Sequence, residues 1–240
     1  MKPILLACLS IFILSSCQKD KNDIEIQNPV EIETQIENPD WYIVTAPDAR
    51  PIEGVYGDID KSLVITTGLK IYKTDDKGKT WTTGNYNKPI GIFSFTEVQD
   101  TLLVFNTKSY ISNKAKEQLI YATRPSFYSM DKGISWFPYE NVTFTEKDPR
   151  VLLNKAVTAA GTEYKIDQVE IGGSLEPSGI VTSKGEKINL PQNHQINSLY
   201  FDKKDRLYVS ASAAFCGGGN SFSFCKGENG VLYVSKLSKK

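Results

Sequence analysis

Thr74-Asp75-Asp76-Lys77-Gly78-Lys79-Thr80-Trp81 and Ser129-Met130-Asp131-Lys132-Gly133-Ile134-Ser135-Trp136 share one pattern, Ser/Thr-x-Asp-x-Gly-x-Ser/Thr-Trp, and lie 55 residues apart. Each copy has the chemistry of a tight reversal between two strands. Gly78 and Gly133 supply a positive φ. Asp76 and Asp131 can accept hydrogen bonds from backbone N–H groups of their own turn, and the hydroxyls of Thr74, Thr80, Ser129 and Ser135 can satisfy further backbone groups. Trp81 and Trp136 follow as large apolar groups able to insert between neighbouring sheets. The two aspartates sit in separate hairpins, so they are expected to build turns rather than to form a catalytic pair.

Outward from these turns the chain reads as short β-rich runs, such as Leu63–Thr67, Leu102–Phe105, Leu207–Ser210 and Val231–Ser235, separated by Gly, Asp, Asn and Lys. β-Branched and aromatic residues dominate them and no stretch keeps a helical period, so the fold class is all-β. The repeated pattern resembles the Asp-box, or bacterial neuraminidase repeat, of sialidases, sortilin-type receptors and related β-propellers. That resemblance implies four-stranded blades, with a repeat of about one blade. A weaker copy, Thr182-Ser183-Lys184-Gly185-Glu186-Lys187-Ile188, keeps the glycine but drops the aspartate; its Gly185 lies 52 residues after Gly133. The last unit ends at Tyr233–Leu237, where a further copy would begin. Trp41–Thr45 has the look of the missing outer strand, with Trp41 in the part of Trp81. The expected architecture is a small propeller of four blades over 41–240, closed by its own first strand; a two-sheet sandwich is the alternative.

The N-terminal 40 residues read differently. Lys2 and the apolar run Ile4–Leu14 make a secretory signal, too short for a permanent span. The run ends in Leu14-Ser15-Ser16-Cys17, which resembles the bacterial lipobox and implies cleavage before Cys17 and acylation of its thiol. The signal peptide is 1–17 counted through that lipidated cysteine. Gln18-Lys19-Asp20 resembles the Bacteroidetes-type lipoprotein export signal, although Lys21 stands where that pattern prefers a second acid. The expected place is the outer membrane, on the cell surface or otherwise facing the periplasm. Residues 18–40 are acidic and poor in clustered apolar groups, which predicts a flexible tether, its ends roughly 25–30 Å apart.

Net charge is zero, with four arginines (Arg50, Arg124, Arg150, Arg206) against twenty-four lysines, which suggests no nucleic-acid partner. With Cys8 lost and Cys17 acylated, Cys216 and Cys225 remain, an isolated nearby pair that reads as a disulfide in an exported chain. It would restrain a glycine-rich loop displaying Phe215, Asn220, Phe222 and Phe224, either a binding loop or a stapled hairpin packed on the last blade. Tyr121, Phe127 and Tyr128 are assigned to the core.

The sialidase resemblance does not extend to chemistry. Arg50-Pro51-Ile52 reverses the family's Arg-Ile-Pro order, four arginines leave almost no choice for a triad, and Glu163 and Tyr164 would point to opposite faces of a strand. No catalytic residue is assigned. Asp58-Ile59-Asp60 and Asp202-Lys203-Lys204-Asp205 read as turns before strands rather than calcium loops, and His194, the only histidine, as a solvated residue of a connector. No metal or cofactor is expected. The functional expectation is a membrane-anchored, non-catalytic propeller that binds a protein or glycan partner at the cell envelope. The alternatives are a glycan-active hydrolase with an unrecognised acidic pair, or an envelope-complex assembly factor.

Overall fold

A computed structural model describes residues 38–112, 117–140, 148–171, 174–216 and 223–239. Cys17 and the tether up to residue 37, together with Asn220 and Phe222, lie outside them. Side chains of 168–178 are likewise not described.

The described chain is all β and forms four antiparallel sheets in a ring, a four-bladed propeller. It begins with β1 (Trp41–Thr45) and continues into blade one: β2 (Gly54–Gly57), β3 (Leu63–Thr66), β4 (Ile71–Thr74) and β5 (Thr82–Thr83). Blade two is β6 (Ser94–Val98), β7 (Thr101–Ser112), β8 (Gln118–Ser129) and β9 (Phe137–Pro138), with β10 (Val151–Leu152) also paired to β8. Blade three is β11 (Lys155–Val157), β12 (Glu163–Ile171), β13 (Ser174–Thr182) and β14 (Lys187–Ile188). Blade four is β15 (His194–Phe201), β16 (Leu207–Cys216) and β18 (Val231–Ser235), with β17 (Ser223–Phe224) against the far end of β16.

The fourth strand of blade four is β1. It pairs antiparallel with β18 from Trp41 opposite Ser235 to Thr45 opposite Val231. The expected closure is therefore present, and the sandwich is not. The strand has a full reason to be there: β5, β9 and β14 span only two residues each, whereas β1 spans five and buries Trp41, Ile43 and Val44. With β1 in place β18 is paired on both sides, and blade four has its fourth strand.

The core is divided among the blade interfaces. Between blades four and one pack Val44, Leu232, Val55, Ile65, Tyr72 and Trp81. Between one and two are Val64, Ile71, Phe95, Leu102 and Trp136. Between three and four are Tyr164, Ile166, Ile180, Tyr233 and Trp41. Trp81, Trp136 and Trp41 thus each sit on the outer side of their own blade and pack against the preceding one. Among the described residues a further cluster, Phe105, Ala122 and Leu153, lies in blade two and the segment that leads from it to blade three.

Because successive strands alternate in direction, turns fall on two faces. One, the turn face, carries the turns after each blade's first strand and the turns after its third, including 74–81 and 129–136. The other, the hairpin face, carries the connections between second and third strands and the crossings between blades. Residues 38–40 lead into β1 on the turn face, where Lys236 N–H donates to Asp40 O at 2.9 Å.

Candidate functional site

The two quoted repeats occupy equivalent places in blades one and two and build the same turn. In the first, Thr74 Oγ1 donates to Asp76 Oδ1 (2.7 Å) and accepts from Gly78 N–H (2.9 Å), while Asp76 accepts from both Thr80 N–H (2.9 Å) and Thr80 Oγ1 (2.6 Å). In the second, Ser129 Oγ donates to Asp131 Oδ1 and accepts from Gly133 N–H, both at 2.8 Å, and Asp131 accepts from Ile134 and Ser135 N–H. Gly78 and Gly133 have φ of 82° and 99°. Burial works to raise both carboxyls, but the hydrogen bonds from Thr80 and Thr74, and from Ser135, Ser129 and Ile134, together hold them below the usual carboxylate range. With both oxygens of each carboxylate bonded to their own loop, these aspartates hold turns. In the weaker copy Thr182 Oγ1 accepts from Glu186 N–H at 3.1 Å and Gly185 has φ of 82°, so the reversal survives without the aspartate.

The hairpin face is uneven. Blade one turns between second and third strands in four residues, Thr67 N–H donating to Lys70 O at 3.1 Å. The β7–β8 ladder instead runs on to Ser112 opposite Gln118, and β12–β13 to Ile171 opposite Ser174. Blade four ends in the stapled segment: Cys216 and Cys225 form a disulfide, and Phe215 and Phe224 stack at 5.1 Å across β16 and β17. Closing that loop contributes about 2–3 kcal/mol in the chain-entropy picture. Phe224 is 51% exposed while Phe215 is half-buried, so one ring of the pair is displayed; on the β7–β8 hairpin Tyr110 and Ile111 are exposed as well. Of the three aromatic residues assigned to the core, Phe127 packs edge-on to Tyr86 at 5.1 Å. Tyr128 and Tyr121 are half-buried, against Phe137 and under the Arg150 guanidinium.

His194 needs correction. It is not a solvated connector residue: it opens β15 and is 2% exposed. Its Nδ1 lies 2.9 Å from Ser212 O and its Nε2 2.7 Å from Tyr233 Oη. A carbonyl can only accept, so Nδ1 carries the proton and Nε2 accepts from the tyrosine. Burial pushes the imidazole pKa down, against the opposing effect of its backbone hydrogen bonds. This is a satisfied, neutral core histidine. Its polar neighbours Gln192 and Asn193 line a cleft of 260 Å³ on the hairpin face beside it.

The turn face holds what sequence reading missed. A cavity of 360 Å³ opens between blades four, one and two, with Tyr56 and Tyr200 on its wall and Val64 and Leu102 beneath. The tyrosine rings lie 5.8 Å apart and tilted. The Tyr56 hydroxyl donates to Glu97, and Tyr200 Oη reaches Gly57 O at 3.4 Å. Burial, reinforced at Tyr56 by the Glu97 hydrogen bond, raises both phenols, Tyr200 to about 12, so both remain protonated donors.

Asp58-Ile59-Asp60 and Asp202–Asp205 are turns, as expected, and their carboxylates hold cations of this chain. Arg206 binds Asp202 through Nε (2.8 Å), Asp60 through Nη1 (2.7 Å) and Asp58 through Nη2; Lys204 reaches Asp58 and Asp60 at 3.1 and 2.9 Å. The Lys204 hydrogen bond holds the Asp60 carboxyl far below its ordinary range. Tyr208 Oη donates to Asp202 at 2.9 Å and accepts from Ile59 N–H at 3.0 Å, tying blade four to the first turn of blade one. Among the described residues no group of three or more His, Cys, Asp or Glu is disposed to hold a metal ion.

Glu163 and Tyr164 point apart, as strand geometry requires: Tyr164 is buried, while Glu163 meets Lys155 at 3.1 Å. No known protein family, curated protein or solved structure matches this chain.

Proposed function

We propose that this chain is an envelope lipoprotein, anchored through Cys17, whose propeller binds a protein or glycan partner on its hairpin face and catalyses no reaction. The observation that carries the reading is the asymmetry of the two faces. Three of the four second-to-third strand connections are lengthened, all rise on one face, and the residues that lead from the tether join the opposite face. Loops raised on a rigid scaffold are where recognition is commonly built. Exposed aromatic and aliphatic groups at Tyr110, Ile111 and Phe224 supply the kind of anchors that interfaces use. An anchored chain would present these groups away from its own membrane.

The test is site-specific photo-cross-linking in intact cells. A cross-linking amino acid at Tyr110 or Phe224 should trap a discrete protein or glycan adduct, and one at Lys79 on the turn face should not. Adducts from Lys79 alone would overturn the assignment of the face. Anchorage is read separately: fatty-acid labelling of the chain should disappear with Cys17→Ala.

A further inference from the structure

The cavity on the turn face lies apart from the hairpin face and is not used by the function proposed above. Its lining sorts into spent and available groups. Asp58 and Asp202 are held by Arg206 and Lys204, and Glu97 accepts from Tyr56. Lys61, Lys132 and Lys203 also line the cavity, and no ion pair with a described residue holds any of the three. They come from three separate turns: between β2 and β3, in the second repeat after β8, and between β15 and β16. Against them stand two carboxylates that no cation holds, Asp100 and Glu97, the latter accepting from the neutral Tyr56 hydroxyl. With Asp58, Asp60 and Asp202 set against Arg206, Lys204 and Lys77, three ammonium groups face two carboxylates, a surplus of one positive charge.

We infer that this cavity is a binding site for a small phosphomonoester with a hydroxylated ring, of the size of a sugar phosphate. The volume, 360 Å³, lies in the range of small-molecule sites and suits one ring with its phosphate. Tyr56, Tyr200, Val64 and Leu102 offer ring faces and apolar surface to the body of the ligand. Asp100 and the second oxygen of Glu97 can accept from its hydroxyls, and so can the phenol oxygens, whose own protons go to Glu97 and Gly57.

The anion is argued from the type of cation. Planar carboxylates are best met by the fork of an arginine, and the guanidinium nearest the cavity, Arg206, is fully engaged by three aspartates. Three separate ammonium groups, each a point charge on a flexible stem, suit a tetrahedral dianion approached from several sides.

The phosphate could belong to a soluble ester or to a lipid headgroup at the nearby membrane, and the experiment has an arm for each. The full chain in detergent is titrated calorimetrically with glucose 6-phosphate, with glucose and with inorganic phosphate. In parallel it is floated with vesicles of phosphatidylcholine with and without phosphatidic acid. Glucose 6-phosphate should bind with Kd of about 1 mM or tighter, and glucose at least about tenfold more weakly. The triple variant K61Q/K132N/K203Q should lose at least about tenfold; asparagine is chosen at position 132 because Lys132 has φ of 60°. Should that variant fail to fold, Lys203→Gln alone should weaken binding about threefold. Flotation that requires phosphatidic acid and is displaced by glucose 6-phosphate assigns the phosphate to a headgroup; ester binding without flotation assigns it to a soluble ligand. The inference is overturned if no phosphate probe binds at 10 mM, if glucose binds as well as its phosphate, or if the lysine variants bind unchanged.

Discussion

Trp41→Ala tests whether the ring is held shut by its first strand. Trp41 is 5% exposed, packs edge-on to Tyr233 with centroids 6.0 Å apart, and shares a cluster with Tyr164, Ile166 and Ile180 of the preceding blade. Truncating a buried tryptophan to alanine costs about 3–5 kcal/mol, the range covering how far the site collapses. The aromatic pair with Tyr233 accounts for about 0.5–1.5 kcal/mol of that. For a domain of this size each kcal/mol lowers Tm by about 2–4 °C, so the transition should fall by about 6–20 °C. The assay is thermal unfolding of the full chain by circular dichroism, with urea unfolding to check that the m value is preserved. Shortening the chain within 18–37 is the control and should leave Tm unchanged. A loss below about 1 kcal/mol for Trp41→Ala would mean that this strand is dispensable and the closure argument is unsound.

Trp81 Nε1 is buried without a hydrogen-bond partner among the described residues, whereas Trp136 Nε1 donates to Gly133 O at 2.9 Å; Trp136→Phe should therefore destabilise more than Trp81→Phe, by about 1 kcal/mol in parallel urea titrations. Gly78 and Gly185 share a φ of 82°, but a Cβ at Gly78 would lie 2.3 Å from Val44 Cγ1 while one at Gly185 meets nothing within 4 Å. Gly185→Ala should thus cost only the left-handed backbone term, about 1–2 kcal/mol, and Gly78→Ala clearly more because it pushes on the closing strand; equal losses in urea titration would contradict the packing described. His194 is buried with its pKa lowered, so below its unfolded value the unfolded chain takes up the proton first. Its contribution is complete above about pH 6.5 and declines as pH falls through the window beneath, by up to about 1.4 kcal/mol per pH unit. His194→Gln should flatten that slope between pH 6.5 and 5 in urea unfolding measured at half-unit steps; an unchanged slope would assign it to carboxylates instead.

What could be read in the sequence was whatever short stretches of chain decide locally. Ser/Thr, Asp, Gly and Ser/Thr at fixed offsets form a turn from their own hydrogen bonds, so 74–81 and 129–136 announced blade edges before any strand was paired. The unpaired end at Ser235 and the spare strand at Trp41 were legible for the same reason: a blade has a set number of strands, and a missing one can be counted. The pair Cys216 and Cys225 needed only proximity in the chain.

Tertiary structure alone decided the rest, because it joins residues that carry no mark of each other. Polar neighbours made His194 read as solvated, yet the β15–β16 pairing and Tyr233 from β18 enclose it and satisfy both ring nitrogens. Phe215 and Phe224 were legible as aromatic residues beside a disulfide, but that they stack and that Phe224 stays exposed depends on how β17 meets β16. The turn-face cavity is assembled from stretches near residues 56–64, 97–102, 132 and 200–204, each of which reads singly as an ordinary strand end or turn. Their convergence follows from four blades closing on one axis, a long-range geometry that no local pattern encodes. The repeats and the spare strand determined the propeller; only the closed ring determined which lysines and tyrosines share a site.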